Sequence, residues 1–169
     1  MSHPNLFYPP PVYGGDDGLV NGSLHRADDP PDLVYRAGGT VHYLATHAST
    51  NGQFGLYRWS MAGEPSGPDP HFHRSISESF YVLDGTIRLY DGRDWVDGQP
   101  GDFLFVPEGG IHAFRNESGA PASMLILFAP SATREDYFET LDRVGRGLVM
   151  NDAERAEFYL RHDTHWLGA

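Results

Sequence analysis

The sequence predicts an all-β domain of short antiparallel strands followed by a helical tail, and three observations lead there. Glycine (20) and proline (13) are scattered along the chain rather than repeated, a turn-rich composition. Between Leu33 and Pro130, β-branched and aromatic runs with period-two alternation recur between turn signals at intervals of ~8–12 residues, the pattern of a sandwich or barrel. After Pro130 the apolar spacing changes to a helical one. At 169 residues the chain is long enough for one domain with a sizeable core.

Taken in order, residues 1–32 are rich in Pro, Gly, Asp and Asn and read as an irregular arm. Its short extended pieces would pack on the body or on a neighbouring subunit; disorder is the alternative. The β domain spans 33–130. LVYRAGGTVHYLAT places strand formers on both sides of a Gly38-Gly39 turn, and NGQFGLYRWSM alternates Phe54, Leu56 and Arg58 against Tyr57, Trp59 and Met61. A Pro/Gly-rich loop runs from Gly63 to Pro70. Strands follow in HFHRSISESFYVLDG (71–85), TIRLY, around Trp95-Val96, in DFLFV, in IHAFRN and in ASMLILFA, with turns at DGRD, GQPG and PEGG. The tail, 131–169, reads as helices packing on the barrel. Thr133 and Asp136 resemble a capping box, Tyr137, Phe138, Leu141 and Val144 keep helical spacing, and Gly145 is the expected stop. Asn151 and Glu154 open a second helix reaching to about His162.

Composition excludes several classes of function. Twelve basic and 23 acidic residues give a net charge of −11, which disfavours nucleic acid and anionic membrane surfaces as partners. Without cysteine there is no disulfide, thiol nucleophile or thiolate site, so any metal must be held by nitrogen and oxygen. MSHPNLFYPPPVYGG lacks the basic start and apolar run of a secretory leader, and the longest apolar run, Met124 to Ala129, is of strand length. A soluble, cytoplasmic protein is the expectation.

The chemistry-bearing residues lie in two segments. On a strand, residues i and i+2 face the same side about 7 Å apart, so His71 and His73 can point at one spot. Glu78 has the opposite parity and joins them only if Arg74-Ser75-Ile76-Ser77 contains a turn or bulge; otherwise it is solvated. Phe80 and Val82 share the face of Glu78. In GDFLFVPEGGIHAFRN, residues 101–116, Pro107 and Gly109 make a tight corner, after which His112 begins a strand with the parity of Phe114. His112 is a candidate further ligand.

These two segments resemble the paired motifs of the cupin superfamily. The first is matched by His71, His73, Glu78 and Gly85; the second by Gly101, Pro107, Gly109, His112 and Asn116, with 15 residues, Thr86 to Pro100, between them. The opening glycine of the first motif falls at Pro65, with Gly63 and Gly67 nearby, a departure that bears on loop shape alone. The resemblance implies a small antiparallel jelly-roll β-barrel in which His71, His73, Glu78 and His112 converge on one divalent transition metal. Such a nitrogen and oxygen set suits Fe, Mn, Ni, Co or Zn and leaves coordination positions open. Within the superfamily the chain resembles single-domain, quercetinase-like cupins (flavonol dioxygenases) and the related small cupins of bacterial polyketide pathways. In the former the ligating glutamate also takes a proton from the substrate enol, which assigns catalysis to Glu78.

The implied activity is a metal-dependent dioxygenase acting on a small aromatic enol. A metal-dependent cyclase or isomerase of polyketide or sugar metabolism, and a non-catalytic small-ligand binder, are the alternatives. Tyr57, Trp59, Phe80, Phe103, Phe105 and Phe114 are candidates to line an aromatic substrate pocket, against ordinary barrel packing. His42 and His47 read as surface or satisfied core histidines, His162 and His165 as tail residues outside catalysis, Arg58 and Arg88 as solvent-facing, and ETLDRVGRG as a solvated helix face closing one end of the barrel. Related cupins pair through barrel edges and N-terminal strands, so a homodimer is expected.

Overall fold

The computed structural model of the chain describes residues 8–167; the first seven residues of the expected N-terminal arm lie outside them. Residues 8–32 contain no strand or helix, and from Leu33 the chain is built of antiparallel strands. These are β1 (Leu33–Val34), β2 (Thr40–Ala45), β3 (Gly55–Met61), β4 (His71–Phe72), β5 (Ser77–Asp84), β6 (Ile87–Tyr90), β7 (Trp95–Gly98), β8 (Phe103–Val106), β9 (Ala113–Arg115) and β10 (Ala122–Ala129). Helices α1 (Arg134–Gly145) and α2 (Asp152–Arg161) and a short strand β11 (His165–Trp166) complete the fold. No helix among the described residues is long and apolar enough to cross a membrane.

Six strands form one sheet in the order β1-β2-β3-β10-β5-β8, three form a second, β7-β6-β9, and β11 pairs with β4. Strand β10 is central, hydrogen-bonded to β3 on one side and β5 on the other. Its sequence explains the position: Ala122, Met124, Ile126 and Phe128 are buried, while the alternate residues are half-buried on the other face. One core joins the sheets, with Tyr57, Phe80, Val82, Met124, Ile126 and Phe128 from the large sheet meeting Ile87, Leu89 and Phe114 from the small one. Each such buried side chain contributes ~1.5–3 kcal/mol relative to exposure.

Both helices pack on this core through Tyr137, Phe138 and Phe158. Helix α2 starts as the sequence predicts: Asn151 Oδ1 accepts from Glu154 N (3.0 Å) and Glu154 Oε2 accepts from Asn151 N (2.9 Å). Helix α1 does not. Thr133 sits at ψ 74° rather than in extended backbone, so its hydroxyl makes no capping bond, and the expected Thr133–Asp136 box is absent. The closing glycine also comes two residues later than expected, although α1 itself ends at Gly145. Gly145 is still helical, and the left-handed residue is Gly147 (φ 110°), with Gly147 N donating to Val144 O and Leu148 N to Arg143 O in a Schellman closure.

Strand β11 has no counterpart in the sequence reading, because two residues carry no detectable period. It sets Trp166 opposite His71 and His165 opposite Phe72, so the tail returns to cover a strand of the site.

Candidate metal centre

The first motif folds as its parity demands. His71 and His73 share a face around β4, the chain bends at Arg74-Ser75, and β5 restarts at Ser77 with Glu78 turned inward. The bend is held from the tail: Asp163 Oδ2 accepts from Arg74 N (2.9 Å), Ser75 N (2.7 Å) and Ser75 Oγ (2.6 Å). Across the barrel, His71 and His112 face one another in a two-way bridge, His71 N to His112 O at 3.0 Å and His112 N to His71 O at 2.9 Å. The PEGG corner is tied to the same place by Gly109 N donating to His73 O.

Gly67 supplies the close approach required of the glycine missing at Pro65. It has φ 135°, and a Cβ there would stand 2.0 Å from Phe114 O. Beside it, Ser66 and Asn116 exchange backbone hydrogen bonds. The Asn116 side chain closes the corner, donating from Nδ2 to Ala62 O and Ala120 O at 2.8 Å each. Asn116 is thus a fastener of the loop rather than a ligand.

His71, His73, Glu78 and His112 are all buried, and one donor atom from each lies within 4.8 Å of the others. All three imidazoles present Nδ1 to a backbone carbonyl: His71 to Asp69 O (2.9 Å), His73 to Asp163 O and His112 to Gly110 O (3.0 Å). Nδ1 therefore carries a proton in each ring, which leaves Nε2 as the nitrogen a metal ion would take. Glu78 Oε2 stands 3.0 Å from His73 Nε2 and 2.9 Å from His112 Nε2. Buried acceptors facing acceptors are stable only with a proton or a metal ion among them. Three neutral imidazoles and one carboxylate fit a borderline divalent ion of the first transition row.

Burial and the charges of the cluster act on its members in different directions. Burial pushes His71 down to about 3, aided by the neighbouring His112, so this imidazole stays neutral at physiological pH. Burial alone would raise the Glu78 carboxyl, but His112 and His73 outweigh it and hold the group well below the usual range, hence ionised. Burial works to lower His112, but the Glu78 carboxylate overcomes it and raises the imidazole, which favours a proton on Nε2 shared with Glu78; a metal ion bound there would take that proton's place.

A cavity of about 400 Å³ opens beside the cluster, reached by His71 and Glu78. Of the six aromatic residues expected to line it, Trp59 and Phe114 do. Tyr57 and Phe80 lie outside its lining, in the core: Tyr57 packs edge-on to Phe128 and Phe138 and donates to Glu135 Oε1 (2.7 Å), and Phe80 packs on His112 and Phe114. Phe103 and Phe105 are corrected outright. They are 61% and 56% exposed, because β8 pairs Val106 with inward Glu78 and Leu104 with inward Phe80, which turns Phe103 and Phe105 outward.

Further walls come from Tyr35, Phe128, the loop from Glu64 to Pro68 and the tail: Arg134, Tyr137, Phe138 and Leu141 of α1, Tyr159 of α2 and Trp166 of β11. The spacing 134, 137, 138, 141 is one helix face, so the signal was present in the sequence. The stretch read as a solvated face thus puts Leu141 on the cavity and buries Thr140 and Asp142. His42 and His47 are spent on carbonyls, of Asp29 (3.1 Å) and Ser131 (3.0 Å). Arg88 pairs with Glu117 (2.7 Å) and Asp97 (3.3 Å), and Arg58 donates to Ala27 O (3.3 Å).

Comparison with known proteins matches this architecture. Residues 58–128 fit the family described as Cupin domain. Over 134 residues the chain is 34% identical to a quercetin 2,3-dioxygenase of Bacillus subtilis, an alignment covering 75% of this chain and 32% of that protein, so the chain spans about a third of that relative. Among solved structures, KdgF from a Halomonas species superposes with a TM-score of 0.57 at 18% identity, covering 68% of this chain and 98% of that one. A predicted oxalate decarboxylase from Thermotoga maritima superposes with 0.55 at 18% identity, covering 64% and 99%. These two show the fold alone. The double motif, the antiparallel barrel and the family match agree: residues 58–128 form a cupin domain.

Proposed function

We propose that the chain is a metal-dependent dioxygenase of quercetinase type acting on a small aromatic enol. The observation that carries the reading is the meeting of the histidine and glutamate cluster with an aromatic-walled cavity at Glu78, in a chain similar to a quercetin 2,3-dioxygenase. His71, His73, Glu78 and His112 would hold one divalent ion, which when bound supplies Lewis acidity and, for a redox-active metal, a partner for dioxygen.

The chain's own groups account for the rest. Trp59, Phe114, Phe128 and Phe138 present apolar faces that would sandwich an aromatic substrate and exclude water. Glu78 Oε2 is engaged with His73 and His112, whereas Oε1 makes no hydrogen bond among the described residues. Oε1 is therefore the oxygen left to take the enol proton, and the carboxyl is ionised as a base requires. The working unit under this reading is a homodimer.

An oxygen electrode tests it. Protein loaded in turn with Fe, Mn, Co or Ni is expected to consume oxygen with at least one of a panel of flavonols. No uptake with any of the four metals rejects the reading, and turnover under anaerobic conditions would transfer the site to Lewis-acid cyclase or isomerase chemistry.

A further inference from the structure

We propose that Arg134 anchors an anionic group of the substrate, and that this group is a carboxylate carried on the aromatic body. The inference rests on the reading of the site as one for an aromatic enol and specifies the substrate class within it.

Arg134 is 3% exposed, yet no carboxylate pairs with it among the described residues. Its one hydrogen bond runs from Nη1 to His162 O (2.8 Å), the carbonyl at the end of α2. Nε is buried without a partner, and Nη2 donates to nothing described. Nη1 is thus spent, Nη2 is the nitrogen open to an anion, and the unpartnered Nε beside it is sealed in the packing, so that a carboxylate held by Nη2 would complete a side-on fork only by reaching Nε as well. The guanidinium is held in place by rings, 4.2 Å from the centroid of Tyr137 and 4.8 Å from that of Phe128.

The same cavity has a second idle donor. Trp166 lines it beside His71, and its buried Nε1 has no acceptor among the described residues. Two residues lining one cavity thus each carry a buried N–H without an acceptor, an arrangement that a ligand rich in acceptor oxygens would relieve. Charge points the same way. Glu78 and Asp163 act on Arg134 only through space, since Glu78 is engaged with His73 and His112 and Asp163 with Arg74 and Ser75, and neither makes an ion pair with the guanidinium. A buried charge is stable when paired, and an organic anion entering this space would pair it.

Arg134 also braces α1 against the end of α2, so the test must separate anchoring from bracing. Calorimetric titration of the full chain loaded with zinc, which is redox-silent, uses 3-hydroxy-2-naphthoate and its neutral, nearly isosteric amide. The wild type is expected to favour the acid by ~10-fold or more, as a charge-assisted fork implies. Arg134→Met keeps the volume and is expected to lose that preference, acid affinity falling ~10-fold or more further than amide affinity; a mere brace would weaken both ligands alike. Equal binding of acid and amide by the wild type, or a preference kept in Arg134→Met, overturns the proposal.

Should Arg134→Met fail to fold, Arg134→Lys replaces it. A point charge without the fork is expected to retain only part of the preference, and an undiminished preference overturns the proposal. Oxygen is not read in these titrations. Acid preference lost on mutation supports the anchor even if no flavonol is cleaved, whereas absent preference beside robust flavonol cleavage overturns the anchor and leaves the dioxygenase reading intact.

Discussion

Three backbone carbonyls, of Asp69, Asp163 and Gly110, decide what His71, His73 and His112 can do. Each accepts from Nδ1, so Nε2 is the nitrogen each ring offers a metal ion, and a histidine replaced by alanine removes a donor that no neighbour can supply. His73→Ala and His112→Ala are each expected to weaken metal binding by more than about 100-fold. Metal content by mass spectrometry after purification without chelators checks this, and full occupancy in both variants would contradict the assignment. His162 is a histidine of another kind. Burial, reinforced by Arg134, lowers its pKa although Asp136 opposes. A lowered histidine is protonated first in the unfolded chain, so its contribution to stability is lost as pH falls from about 6.5 toward the folded value. Thermal melts between pH 7.5 and 5.5 should therefore show a shallower decline for His162→Gln than for the wild type.

At the level of elements, the two motifs were legible because their chemistry is local. HxH, the offset glutamate and the PEGG corner each lie within a few residues, and the parity of Glu78 required a bend where one occurs. What holds that bend was not legible, since Asp163 reaches Arg74 and Ser75 across 88 or more residues of sequence. The same distance hid the pairing of β11 with β4 and the delivery of Arg134 and Trp166 to the cavity. The outward turn of Phe103 and Phe105 was missed differently. Their parity is visible, but which parity of β8 faces inward is set by its register against β5. Asp163→Ala would remove the acceptor that ties two exposed backbone N–H groups of the bend, which water can then satisfy, and a loss of about 1–2 kcal/mol is expected. Asp163→Asn keeps an acceptor and tolerates the left-handed backbone at φ 50°, so it should lose much less. Denaturant unfolding of both variants, with zinc affinity alongside, measures how far the tail tensions the ligand strands; equal and negligible losses would remove that role from Asp163.

On the scale of the whole molecule, the barrel hides its chemistry well and its outer surface badly. Strand β8 ends the six-stranded sheet, so one side of its backbone has no partner strand, and it carries Phe103 and Phe105 outward beside Tyr81 of β5. The arm adds further uncovered apolar side chains, Val12, Leu19, Val20 and Leu24, exposed along a segment with no strand of its own. An exposed apolar edge invites strand or face pairing, and a chain whose arm and edge are both uncovered can satisfy each with a second copy. A stable contact of this kind buries ~800 Å² per partner, an area that an edge strand and an extended arm can supply together. Light scattering at micromolar concentration is therefore expected to give the mass of a dimer. The paired change Phe103→Glu and Phe105→Glu, on side chains pointing away from the cluster, should shift it to a monomer that still binds its metal. A wild-type monomer would contradict the pairing, and a charged variant that stays dimeric would move the interface away from β8.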